Sequence, residues 1–290
     1  MADEPSLRNV SDTALWVAVF RAQESERDDP LFFDPYARQL AGERGAEIAR
    51  QLGMPGWPIV VRTQVLDELI QKAVEEEGFD TVLNLAAGLD TRPYRLALPA
   101  TLRWIEVDLP AMVEYKREAL KQAKCFCRLE RHAVDLAEPH ARRTLFAKVG
   151  AAADKVLVVT EGLLIYLDPE AVKELAVDLH QPPAFKRWLM DLASPGLLKM
   201  MERQGLTNSD HALLKNPDVR FKFAPQEHVE FFRPFGWKPG EYRATGVEAK
   251  RLKRFEVPFL FKLINTLMSL SPRMRAKMRK FSGMTALERA

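Results

Sequence analysis

Three acidic residues close three apolar, β-rich runs. Asp108 ends "LRWIEVD" (102–108), Asp135 lies at the end of "RLERHAVDL" (128–136), and Glu161 follows the aliphatic stretch of "KVLVVTEG" (155–162). A further run, 81–86, leads into the turn of "NLAAGLDTR" (84–92), which carries Gly88 and then Asp90. A carboxylate at the end of a second strand, twenty residues after the turn glycine, can accept two hydrogen bonds from a ribose diol. The turn itself argues against a pyrophosphate. Dinucleotide sites use G-x-G-x-x-G to bring backbone N–H groups onto phosphate. Here the stretch reads A-A-G-L-D-T, and Asp90 would repel a phosphate in a partly dry turn. A nucleoside without a phosphate fits better, and S-adenosylmethionine is such a ligand, with adenine, a ribose diol, a sulfonium and an amino-acid end. Asp135 can accept from the adenine amino group, and a backbone N–H at Asp135–Leu136 can donate to the ring. Glu161, in an apolar context, would favour the ammonium or the sulfonium. Each acid also has a plainer role open to it: Asp90 or Thr91 as a helix cap, Asp135 as a loop cap, Asp108 as a turn residue.

The elements that must position these residues alternate. Strands are expected at 81–86, 102–108, 128–136, 155–162 and 185–194, with helices at 93–98, 111–124, 138–149 and 170–180 between them. That alternation predicts an α/β fold, a doubly wound, mostly parallel sheet whose strand–helix turns share one edge. Before it, the first 77 residues read as helical, with "SDTALWVAVFRAQES" and "PIVVRTQVLDELIQKAVEEEG" as two of the helices. The pattern breaks after Ser194. Residues 195–224 read as an insertion hanging over the ligand crevice as a lid, and 225–250 as the end of the core, with a turn at Gly236 and a sixth strand. The whole chain, 1–290, reads as one domain: a helical cover (1–78), a cofactor-binding core (79–194), the insertion, the end of the core, and C-terminal basic helices (251–290).

Composition sets the class. At 47% apolar and 29% charged residues the chain reads as a soluble globular protein. It has no apolar run long enough for a membrane span, and its acidic, polar start, "MADEPSLRNV", is no signal peptide. Cys125 and Cys127 cannot form a four-ligand zinc site, no metal is expected, and the two read as reduced thiols of a cytoplasmic protein. Net charge is +3, but residues 251–290 carry ten Lys or Arg against two Glu, leaving about −5 on the rest. The basic end reads as the solvated end of a packed helix, with a membrane-surface helix as the alternative. Nucleic acid is not an expected partner.

At these same residues the sequence resembles the leucine carboxyl methyltransferase family of class I S-adenosylmethionine-dependent methyltransferases, in particular its bacterial branch with polyketide carboxyl O-methyltransferases. The resemblance covers about residues 12–250. It rests on "FFDPYA" (32–37), "VRT" (61–63), "NLAAGLDTR" (84–92), "WIEVDLP" (104–110), "DL" (135–136), "TEGLLIYL" (160–167) and "FFRPFGW" (231–237), in that order. It implies a Rossmann-like class I fold with S-adenosylmethionine as cofactor. It further implies that Arg62 binds the methionine carboxylate, Gly88 faces the cofactor, Asp108 holds the ribose, Asp135 and Leu136 the adenine, and Glu161 the methionine side. Arg21 is similar to a basic N-terminal residue that also meets the cofactor. The family pattern often has a second glycine where this chain has Ala86.

The expected reaction is O-methylation of a carboxylate on a small or peptide-like acid. A carboxylate arrives ionised and needs no base, whereas a phenol usually does. Arg92 and Arg95, beside the turn, can clamp such an acid. Tyr166 can orient the substrate, and His211, in the insertion, is the one histidine placed to act as a base. A phenol or hydroxyl O-methyltransferase and a non-catalytic S-adenosylmethionine-binding protein remain as alternatives. The missing glycines argue against a dehydrogenase. The sequence fixes neither the acceptor nor the oligomeric state.

Overall fold

The alternation folds into a seven-stranded sheet of order β3-β2-β1-β4-β5-β7-β6. The computed structural model describes residues 10–203, 220–255 and 271–290. Its strands are β1 (Thr81–Leu85), β2 (Arg103–Asp108), β3 (Arg128–Ala133), β4 (Val156–Thr160), β5 (Phe185–Ala193), β6 (Trp237–Ala244) and β7 (Ser282–Arg289). β1 to β5 run parallel, and β7 is antiparallel to both β5 and β6. β1 and β4 are buried along their whole length, as continuous aliphatic strands covered on both faces must be. β3, at the sheet edge, is half-covered.

Helices α1 (Val10–Ser25), α2 (Ala37–Leu52) and α3 (Trp57–Glu75) precede the sheet. Each of the first four strands is then followed by a helix: α4 (Arg92–Arg95), α5 (Pro110–Ala119), α6 (Pro139–Ala151) and α7 (Pro169–His180). All four carry proline in their first turn. Proline there gives up no hydrogen bond, and its fixed φ already suits the helix. The chain can therefore leave a strand and enter a helix within a few residues, which keeps the strand-end acids beside helix starts.

Alternate residues of the central strands face two cores. Leu83, Leu85, Ile105, Val107 and Val158 pack with Phe146 of α6, Leu175 and Leu179 of α7, Phe232 and Trp237. Val82, Trp104, Leu157, Val159 and Leu189 pack with Val65, Leu66, Leu69 and Ile70 of α3.

The C-terminal region departs from expectation. α9 (Thr245–Arg251) and α10 (Pro272–Arg279) are helical, but the chain then enters β7 instead of continuing as a basic helix. "SGMTALER" has helix-favouring Met, Ala, Leu and Glu, yet Met284, Ala286 and Leu287 are buried and the strand is paired on both sides. Two ladders and a buried face outweigh a weak local preference. Residues 256–270, also expected to be helical, lie outside the described residues. Gly236 does form the expected turn, with φ +86°, but residues 228–235 before it form 3-10 turns around Pro234. The insertion expected at 195–224 is described at its two ends. α8 (Pro195–Arg203) opens it, and Phe221 to Phe223 return against a 3-10 turn at Leu164–Tyr166, where the carbonyl of Ile165 accepts from the N–H of Lys222 (2.7 Å) and Phe223 (3.2 Å). His211, between them, lies outside the described residues.

Among the described residues no helix is long and apolar enough to cross a membrane. Both cysteines are free thiols, and burial pushes Cys127 up to about 12.

Candidate active site

One cavity opens at the carboxyl ends of β1, β2, β4 and β5, under α1 and α3. Arg21, Arg62, Gly88, Asp108, Glu161 and Tyr166 all line it. Asp135 and Leu136 do not. Asp135 is exposed and accepts the N–H of Ala137 (2.9 Å), so it caps its own turn. The turn still lies alongside the cavity's β2 wall, because the N–H of Val134 donates to the carbonyl of Asp108 (2.9 Å).

The turn after β1 is tight. Ala86 and Gly88 both sit in the left-handed region, at φ +51° and +47°. The N–H of Ala87 donates across to the carbonyl of Val107 (3.2 Å), and that of Asp90 closes the turn on the carbonyl of Ala87 (3.0 Å). A Cβ on residue 88 would lie 3.3 Å from Cβ of Ala14 on α1, so glycine lets the turn approach that helix. The N–H of Gly88 donates to Asp108 Oδ2 (2.6 Å), and that of Leu109 to Oδ1 (2.8 Å). Two backbone donors thus fix the Asp108 carboxylate without an arginine. Burial holds its pKa above the ordinary carboxylate value despite those donors and nearby Lys116.

The opposite wall is an ion-pair chain. Arg62 Nε donates to Glu161 Oε1 (2.8 Å), and Arg62 Nη1 to Asp191 Oδ2 (3.2 Å). The far oxygen of Glu161 accepts from Arg92 Nη1 (2.8 Å), which also meets Asp90 Oδ2 (2.7 Å). Arg92 Nε donates to Asp67 Oδ1 (2.6 Å), and Asp67 is held from its other side by Arg95 (2.6 and 2.8 Å). Burial opposes the charge on Glu161, but Arg92 and Arg62 outweigh it and hold its pKa below the usual carboxylate range. Asp90 is pulled lower still, against its burial, chiefly by Arg92. Arg62 is also buried, yet Asp191 and Glu161 keep it charged beyond its ordinary range. Glu161, Asp90 and Arg62 are all ionised at neutral pH.

Arg92 and Arg95 therefore do not form the free clamp for a substrate acid expected from the sequence, since their forks are spent on Asp67, Asp90 and Glu161. Arg21 is likewise tied, through Asp34 (2.9 Å) and the carbonyl of Leu89 (2.6 Å), with Thr91 donating to the same Asp34 oxygen (2.6 Å). It lines the cavity while pinning α1 to the turn. Tyr166 bonds to Thr13 and packs edge-to-face on Phe221 (5.4 Å). Burial pushes its phenol up, so it stays protonated near neutral pH.

Asn84 and Asp191 belong to this wall and were missed in the sequence. Asn84 Nδ2 donates to Asp90 (2.8 Å) from the end of β1. Asp191 stands in the apolar run "LMDLA" of β5. An acid in an apolar sequence context is the signal that marked Glu161, and it was equally available here. In all, four arginines and four carboxylates line the described wall, with no lysine or histidine. Such a wall suits a ligand carrying both signs of charge. The Asp108 corner, with no cation bonded to it, suits a neutral polar group such as a diol.

A family model described as leucine carboxyl methyltransferase matches residues 14–179. Relatives from Streptomyces coelicolor and Streptomyces avermitilis, each named a "Putative S-adenosyl-L-methionine-dependent methyltransferase", are 38% and 37% identical over 242 and 243 residues. Each alignment covers 78% of this chain and 82% of the relative. The fold is similar to the crystal structure of a DUF574 family protein from Streptomyces avermitilis, at TM-score 0.60 and 12% identity, over 96% of this chain and 97% of that one. The chain belongs to the leucine carboxyl methyltransferase family.

Proposed function

We propose that this enzyme transfers the methyl group of S-adenosylmethionine to a carboxylate oxygen of a small or peptide-like acid, giving a methyl ester. One observation carries the choice of nucleophile: the described cavity wall offers no free base. It holds neither histidine nor lysine, its one tyrosine is kept protonated by burial, Asp90, Glu161 and Asp191 are each bonded to arginine, and Asp108 is bonded to two backbone N–H groups. A carboxylate needs none, because it is already ionised. The described wall beyond the charged chain is apolar, with Trp16, Val17, Ile59, Ile165 and Phe221. This supports an acid with an apolar body.

The charges and donors present fit the cofactor. Arg62 would take the methionine carboxylate on the part of its fork that Glu161 and Asp191 leave open. Glu161 would accept from the ammonium, Asp108 from the ribose hydroxyls, and the backbone at Gly88 would lie against the nucleoside. Asp135 and Leu136 would meet the adenine at the rim beside β2, and Arg21 would act through the turn it pins. When bound, S-adenosylmethionine supplies an electrophilic methyl on a sulfonium. The protein's part is to hold the acceptor oxygen in line with it at about 3 Å and to exclude water.

The reading predicts a kcat nearly flat from about pH 6 to 9, since neither nucleophile nor base titrates there. The product should be cleaved by mild alkali with release of methanol. An alkali-stable product, or a rate rising with pH through roughly 6–7 and lost in His211→Ala, would replace the carboxylate by a phenol and a base.

A further inference from the structure

Asp191 stands at a junction of three elements. It lies near the carboxyl end of β5, its Oδ1 accepts the N–H of Gly162 (2.6 Å) in the turn after β4, and its Oδ2 accepts from Arg62 of α3 (3.2 Å). Gly162 sits at φ +65°, and a Cβ there would lie 3.3 Å from Arg62 Nη1, so the guanidinium rests directly against this turn. Arg62 is gripped at Nε by Glu161 and at Nη1 by Asp191, and Nη2 takes part in neither bond. The Asp191 side chain is itself about one-fifth exposed and lines the cavity.

We propose that Asp191 is a positioning residue for the amino-acid half of the methyl donor, fixing the Arg62 fork so that its open edge faces the ligand carboxylate. Two opposed carboxylates remove the rotational freedom of a long side chain, which would otherwise be lost on binding. Glu161 alone leaves the fork free to pivot about Nε. The Gly162 bond makes the support stiff, because the same carboxylate anchors the backbone that Arg62 rests on. The inference rests on the reading of Arg62 given above.

Binding of two probes by titration calorimetry tests it on the full chain. S-adenosylmethionine has the amino-acid end, and 5′-methylthioadenosine lacks it but keeps the adenine, ribose and methylthio group. Asp191→Asn keeps an oxygen for the Gly162 N–H and removes the charge facing Arg62. S-adenosylmethionine should bind about tenfold more weakly, equivalent to about 1.4 kcal/mol, with methylthioadenosine within about twofold of wild type. Asp191→Glu, which keeps the charge, should restore part of the difference. Asp191→Ser provides the same comparison if the asparagine chain does not fold. Equal weakening of both probes would reduce Asp191 to a structural role, and unchanged binding of S-adenosylmethionine would remove any role. Arg62→Ala separates the two layers. If it fails to change the ratio of affinities, the Arg62 reading falls. If it changes the ratio while the Asp191 variants do not, only the present inference falls.

Discussion

At the scale of single residues, the site uses carboxylates in two electrical states. Glu161 and Asp90 are paired with arginine and held below the ordinary carboxylate range, whereas Asp108 has backbone donors only and is pushed above it by burial. A raised carboxylate pKa means that the folded protein takes up this proton more readily than the unfolded chain. Ionised Asp108 therefore costs stability above that pKa, and the cost is relieved as pH falls through it. Ligand binding has the opposite sign, because neutral Asp108 loses its charge-assisted bonds to the diol. Affinity for S-adenosylmethionine should fall with pH first through the Asp108 titration, above the ordinary value of 3.8. Asp108→Asn should weaken binding at neutral pH by about 1.5–3 kcal/mol and abolish that first limb, both readable by calorimetric titration across pH. Ala86 makes a second residue-scale case. Its φ of +51° lies where a side chain costs about 1–2 kcal/mol, partly offset by the greater chain entropy of glycine. Ala86→Gly should raise unfolding stability by about 0.5–1 kcal/mol in urea and leave the turn unchanged. The sequence showed that a small residue stands here, but not that it is strained, because φ is set by the closure of the whole turn.

At the scale of elements, four strand–proline–helix steps place the acids, and an ion-pair chain locks the helices above them. The strands were legible because burial on both faces demands continuous apolar runs, and their ends were legible because an acid following such a run is costly unless it has a partner. Partner choice was not legible. Arg92 and Arg95 look like a free clamp in a linear sequence. Their true partner, Asp67, is 25 and 28 residues away on α3 and reaches them only when that helix crosses the sheet. Asp67 and Arg92 are both buried and the Arg95 side chain nearly so, and removing Asp67 leaves Arg95 without its acid partner and Arg92 Nε without an acceptor. Asp67→Ala should destabilise the fold by about 3–5 kcal/mol, seen as a lower urea midpoint. It should also weaken S-adenosylmethionine, since Arg92 would be free to draw Glu161 away from Arg62. If stability is lost with affinity intact, the chain from Asp67 to Arg62 is not coupled.

At the scale of the whole molecule, the C-terminus decides whether the sheet closes. A basic helix followed by eight mixed residues reads as a solvated tail whose removal should be harmless, and no local pattern says otherwise. The information lies in pairing between distant segments, where Arg187 to Ala193 of β5 face Glu288 back to Ser282 and β6 adds a second ladder outside. Register of this kind is invisible in a single strand. β7 also secures the site. It pairs directly with Asp191 through Met284, and the N–H of Ser194, just beyond β5, donates to the carbonyl of Phe281 (3.0 Å). Deleting residues 282–290 would bare the hydrogen-bonding edge of β5, separate β6 from the sheet, and leave the partners of buried Met284, Ala286 and Leu287 facing water. Such an edge is a template for association with other chains. The truncated chain should be recovered mainly as aggregate, and any soluble fraction should show no cooperative thermal transition and no S-adenosylmethionine binding. Replacing only the exposed basic residues of α10, as in Arg273→Gln with Lys277→Gln, should leave both properties at wild-type level. A soluble, cofactor-binding truncation would mean that β1 to β5 hold the donor site without the closing strand.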